Sequence, residues 1–131
     1  MTEQPVDSIE NLAQPLVQQF LLYDALDDGP SLIFVADEQM KYVAVNTTAC
    51  RILGYTRQEL LALGVPDVAV APEASEIYQD MLWARSAQRG VTPIRTKDGR
   101  VLSLAYNAGE VRVAGLPYWV SIGHVVDGSS S

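Results

Sequence analysis

The sequence predicts an α+β domain in which five short antiparallel strands carry helices on one face, preceded by an N-terminal amphipathic helix. Three observations carry that prediction. Apolar residues follow a helical spacing before residue 30 and between residues 47 and 88, and a strand-like spacing elsewhere. The last three strands are separated by tight turns, Lys97-Asp98-Gly99-Arg100 and Ala114-Gly115-Leu116-Pro117, so helical crossovers between parallel strands are excluded there. With 131 residues, 48% of them hydrophobic, the chain can bury one core and has little room for a second. The expected division is a flanking helix and turn over 1–30, a domain over 31–127 and a flexible tail over 128–131.

The first helix opens at Asp7, with Glu10 three residues on as the other half of a capping box. Ile9, Leu12, Ala13, Leu16, Val17, Phe20 and Tyr23 are spaced as a helical stripe. Pro15 cannot donate to the carbonyl of Asn11, so a kink or restart is expected there. Asp27-Asp28-Gly29-Pro30 ends the segment. Leu32–Ala36 and Tyr42–Val45 are short strand-forming runs joined closely enough to make a hairpin. Asn46-Thr47-Thr48 then caps a two-turn helix, Ala49–Leu53, that Gly54 can close in the left-handed conformation. Thr56 and Glu59 repeat the capping-box spacing ahead of Leu60 and Leu61.

Residues 65–71 read as irregular, with Pro66 and Pro72 as breakers. Glu73 to Gln88 reads as the longest helix of the middle section. Ile77, Tyr78, Met81, Leu82 and Ala84 form its apolar side, and Gly90 stops it. Strands follow at 91–96, 101–106 and 111–113, with a bulge or bend at Asn107-Ala108-Gly109, and a last strand runs from Tyr118 to Val126.

Composition removes several classes of function. The net charge is −7, from 16 acidic and 9 basic residues, and the basic ones are scattered. Direct nucleic-acid binding draws its affinity from clustered Lys and Arg, so it is not expected here. No apolar run approaches the roughly 20 residues of a membrane-spanning helix. Met1-Thr2-Glu3-Gln4-Pro5 lacks the basic-then-apolar pattern of a secretory signal. The one cysteine, Cys50, allows no internal disulfide, and a cytoplasmic location is expected. With a single histidine, His124, neither a Ser-His-Asp nor a Cys-His catalytic set can be assembled, so no catalytic residue and no metal site are assigned. Asp24, Asp27, Asp28, Asp37 and Glu38 cluster at turns, where solvation and capping explain them.

Four stretches in order carry a family resemblance. Val43–Ala49 resembles the second strand and asparagine-started helix of a PAS domain. Leu53-Gly54-Tyr55-Thr56-Arg57-Gln58-Glu59-Leu60 is similar to that family's LGYS-x-E-E-L stretch, and Thr96–Arg100 to its x-K-D-G-R hairpin. Val125-Val126-Asp127 stands where the family often ends in Asp-Ile-Thr, although Gly128-Ser129 here replaces the Ile-Thr. The resemblance spans about residues 32–127. It implies a five-stranded sheet enclosing a small internal cavity. It also implies a sensory and protein-interaction module of a signal-transduction or transcription-regulating protein, such as a two-component system.

Within that resemblance, the residues argue against the known prosthetic groups. A flavin–thiol photosensor needs a cysteine after the second short helix, where this chain reads Ala62–Asp67 without one. A cysteine-linked chromophore of the photoactive yellow protein kind would attach where Ala71 stands, although Val68-Ala69 and Tyr118-Trp119-Val120 are similar to that protein. Haem-binding members take their axial ligand from the long helix, which here has no histidine and only Met81 as a weak donor. No cofactor is therefore expected, and Cys50 is read as a small core residue. Two roles remain. Ile9, Leu12, Leu16, Phe20 and Tyr23 form a stripe that a second copy of the chain would bury, giving a homodimer that acts on an output domain or partner signalling protein. Alternatively, Tyr78, Trp83, Tyr106 and Trp119 line the cavity and receive a small-molecule metabolite.

Overall fold

In the computed structural model, which describes residues 14–70 and 88–126, the first helix α1 (Pro15–Asp27) starts at the proline. A kink or restart is the expectation from the sequence at this position, and a helix start is what the described residues show. Proline has no N–H to lose in a first turn, and its fixed φ already suits a helix. Asp7, Ile9, Glu10 and Leu12 lie outside the described residues. No residue of α1 is buried.

β1 (Leu32–Ala36) and β2 (Tyr42–Val45) pair antiparallel, with Phe34 opposite Val45. Asp37 holds their turn by accepting from the amides of Gln39 and Lys41 at 2.9 and 3.0 Å. α2 (Thr47–Leu53) begins at Asn46 and ends at Gly54, whose φ of 84° is the left-handed cap foreseen from its glycine. α3 (Arg57–Leu61) opens with a complete capping box: Thr56 Oγ1 accepts from the Glu59 amide, and Glu59 Oε1 from the Thr56 amide.

A fourth helix, α4 (Val65–Val68), replaces the irregular segment expected at that point. Pro66 lies in its first turn, where a proline is tolerated, and Asp67 Oδ2 accepts from the Gly64 amide at 2.9 Å. The buried Val65 and Val68 anchor the turn to the core. Gly64 is needed where α4 meets the β1–β2 turn. A Cβ there would stand 2.5 Å from the Met40 carbonyl oxygen and 3.2 Å from Lys41 Cα, both rigid backbone.

The remaining strands are β3 (Gln88–Arg95), β4 (Val101–Val113) and β5 (Leu116–Val126), and the five-stranded sheet runs in the order β2-β1-β5-β4-β3. Every pairing in it is antiparallel. Three details depart from the sequence reading. β3 begins at Gln88, so Gly90 lies inside a strand opposite Tyr106, and the helix expected from Glu73 to Gln88 falls outside the described residues apart from Gln88 itself. No bulge interrupts Asn107-Ala108-Gly109, because the register continues unbroken from Ser103–Val126 to Val113–Leu116. Pairing on both sides of β4 and burial of Ala108 outweigh the weak strand propensity of those three residues. β5 starts two residues early, with Pro117 near its end, where a missing donor costs least.

The turns explain the tight connections. Ala114 and Gly115 both have positive φ, which gives a two-residue hairpin turn matching the twist of β4 and β5. Gly99, at φ 94°, closes the β3–β4 turn, which docks onto the helices: Lys97 N donates to Leu53 O at 2.8 Å, and its Nζ meets Glu59 Oε2 at 2.7 Å. The Lys97 ammonium and the capping bond to Thr56 hold the Glu59 carboxyl below its ordinary value.

The core lies between the helices and one sheet face. Leu32, Phe34, Ala36, Ile94, Leu104, Ala108 and Trp119 come from the sheet, and Ala49, Leu53, Leu60, Val65 and Val68 from α2 to α4. Among the described residues, no helix is long and apolar enough to cross a membrane.

Candidate functional site

Asn46 is the joint on which three elements meet. It follows β2, caps α2 and is only 6% exposed. Its Oδ1 accepts from the amides of Ile33 and Ala49 at 2.9 and 3.1 Å. Its Nδ2 donates to the carbonyls of Leu26 and Ser31 at 2.7 and 2.8 Å. One amide side chain thus ties the end of α1, the start of β1 and the first turn of α2 together with all four bonding positions filled. The cap was legible in the sequence; the grip on Leu26 and Ser31 was not.

A second set of polar side chains surrounds this joint. Asp27 Oδ2 accepts from Thr47 Oγ1 at 2.6 Å, and its Oδ1 accepts from the Thr47 amide at 3.1 Å. Arg57 Nη2 donates to Asp27 Oδ1 at 2.9 Å and to Thr47 Oγ1 at 3.0 Å, while its Nε reaches the Val45 carbonyl at 3.2 Å. Thr48 Oγ1 donates to Gly29 O, and Arg51 pairs with Asp28 at the surface. Sequence reasoning left Asp27 as a turn residue and gave Arg57 no role.

Above the joint, α1 presents its apolar side chains to solvent. Leu16 and Phe20 are each 62% exposed, and Tyr23 is nearly as open. Leu21, Leu22 and Leu26 are exposed as well, so the apolar surface is broader than the predicted stripe. Val91, Val101, Val111, Val113, Leu116 and Ile122 add exposed apolar groups on the outer sheet face.

The inner face holds two of the four aromatic residues assigned to a cavity. Trp119 is 2% exposed, with Ala36 on one side and Glu110 on the other. Its indole Nε1 is buried with no hydrogen-bond partner among the described residues. Tyr106 lies two residue pairs further along the same face, opposite Gly123, and partial burial raises its phenol above the ordinary value. They share a wall, but the Ala108–Ser121 pair separates them. Tyr78 and Trp83, like Met81 and Ala71, lie outside the described residues.

Cys50 is half-buried against the core, and desolvation pushes its thiol up, with the nearby Arg57 charge opposing the shift. A thiol so placed is a poor nucleophile. His124 is exposed on the outer face of β5, opposite Ala105. Among the described residues, no group of three or more His, Cys, Asp or Glu side chains could hold a metal ion.

Comparison with known proteins places this geometry. The family model of the PAS fold matches residues 21–126. No curated protein matches the chain at a significant level. Among solved structures, the PAS domain of an HTR-like protein from Haloarcula marismortui superposes with a TM-score of 0.74 at 18% identity, covering 95% of this chain and 99% of that one. A domain of a sensory box sensor histidine kinase/response regulator from Geobacter sulfurreducens gives 0.72 at 20% identity, covering 86% and 98%. A PAS domain from a two-component sensor histidine kinase gives 0.75 at 14% identity, covering 86% and 100%. At such identities the likeness speaks for the fold.

Proposed function

The chain belongs to the PAS family, and we propose that it is a sensory and protein-interaction module of a signalling or transcription-regulating protein, regulatory rather than catalytic, working as a homodimer. Solved domains of similar fold include parts of sensor histidine kinases, which supports a signalling role. The observation that carries dimerisation is α1. Six large apolar side chains stand exposed on a helix with no buried residue, and a helix apolar on several sides is stable in water only when something covers it. Leu16, Phe20 and Tyr23 repeat at intervals of four and three, the spacing by which one helix lies along another. The exposed apolar groups on the outer sheet face are a second surface that a partner copy could cover.

Sedimentation equilibrium of the full chain tests this. The wild type is expected to run as a dimer, and Leu16→Glu/Phe20→Glu as a folded monomer. A monomeric wild type, or a double variant that stays dimeric, would overturn it. Truncation at Pro30 is the poorer test, since it also removes the Leu26 carbonyl that Asn46 binds.

A second reading rests on Trp119. A buried indole N–H without a partner costs about 1–3 kcal/mol, and a small molecule bearing an acceptor would recover that on binding. Such a metabolite would lie against the inner face, with Tyr106 on the same wall. Native mass spectrometry of freshly purified protein is then expected to show an adduct that Trp119→Phe loses. A ligand-free wild type whose melting temperature no metabolite in a broad panel shifts would sink this reading.

A further inference from the structure

α1 has no buried residue, so apolar packing does not set its direction relative to the sheet. Polar contacts at its last turn do. Those made by Asn46 and Thr48 belong to buried side chains gripping backbone carbonyls, and opening them would open the core. The ring of Asp27, Thr47 and Arg57 is different. Its bonds run between side chains, apart from the Thr47 amide and the Val45 carbonyl, and the Arg57 side chain is nearly half exposed. It can therefore open without unfolding anything.

We propose that Asp27, Thr47 and Arg57 form a latch that fixes the end of α1 and carries movement of α3 to it. Arg57 is the first residue of α3, yet its guanidinium touches the last residue of β2, the first of α2 and the last of α1. A shift of α3 that withdraws Arg57 takes away one of the three donors on Asp27 and the donor on Thr47 Oγ1 together. An isolated exposed ion pair holds little, but here the side chain of Asp27 is mostly buried, and the network shares its bonds. The latch is thus either closed, with the last residue of α1 held by Thr47 and Arg57, or open, with the end of α1 still joined to the domain through the backbone, Asn46 and the contacts at Asp28 and Gly29.

Hydrogen–deuterium exchange of the full chain, read by mass spectrometry, tests both halves. Arg57→Gln is expected to speed exchange in the last turn of α1 about tenfold, equivalent to ~1.4 kcal/mol, and to leave β4 and β5 unchanged. Thr47→Val should act at the same place, and Arg57→Lys should fall between the wild type and Arg57→Gln. Thr56→Ala tests transmission, because the Thr56 hydroxyl bonds only to the Glu59 amide within α3's own capping box. By fraying the first turn of α3 it should speed exchange at the end of α1 by about fivefold. Unchanged α1 exchange in Arg57→Gln and Thr47→Val, or a rise spread evenly over the sheet, overturns the latch. A Thr56→Ala effect confined to α3 overturns transmission. The latch effect is independent of protein concentration, so it stands or falls separately from the dimer.

Discussion

Asn46→Ala is expected to lower the unfolding free energy by about 3–4 kcal/mol, the largest loss of any single polar substitution in the described chain. Removing the helix cap alone costs about 1 kcal/mol. The remainder comes from stranding the Ile33 amide and the Leu26 and Ser31 carbonyls in a place where water reaches them poorly. Urea denaturation followed by far-ultraviolet circular dichroism measures the loss, as a lower midpoint at constant slope. A loss near 1 kcal/mol would mean that the amide is only a cap, and that α1 reaches the core by other means.

Trp119→Ala is expected to cost about 3–5 kcal/mol, as for other large buried aromatic side chains. Trp119 is on β5, the middle strand of the sheet, and its side chain is almost wholly enclosed, so the neighbouring Ala36 and Glu110 cannot collapse into the gap. Trp119→Phe separates volume from hydrogen bonding. It keeps most of the apolar contact and removes the unpartnered N–H, so its cost should stay below about 1.5 kcal/mol. A larger loss would show that the indole N–H is satisfied in solution. The same urea titration decides between these outcomes.

Which features were legible in the sequence follows from how local their causes are. Gly54, Thr56 with Glu59, and Gly99 act through bonds spanning a few residues, so their motifs named the structure directly. α4 was missed because Pro66 was read as a breaker, although a proline in a first turn breaks nothing. The start of β3 and the straightness of β4 were missed for the opposite reason. Gly90 and Asn107-Ala108-Gly109 have weak strand propensity, and their strands are held by cross-strand pairing that no local window contains.

The candidate site divides the same way. Leu16, Phe20 and Tyr23 could be read as a stripe from their spacing, whereas Trp119 and Tyr106 stood out only as aromatic residues on the last strands, and their shared face follows from the pairing register. The ring of Asp27, Thr47 and Arg57 joins residues 10 to 30 positions apart, and each alone looks like an ordinary cap or surface residue. Only the return of the chain past the end of α1 brings them together.

Cysteine cross-linking tests the central claim, a dimer built on α1, most directly. In a Cys50→Ala background, Phe20→Cys is expected to form a disulfide-linked dimer under mild oxidation, because the two helices would lie side by side. Glu38→Cys, on the β1–β2 turn away from that surface, should remain monomeric on a non-reducing gel. A Phe20→Cys protein that does not cross-link, or a Glu38→Cys protein that cross-links equally well, would contradict the α1 dimer.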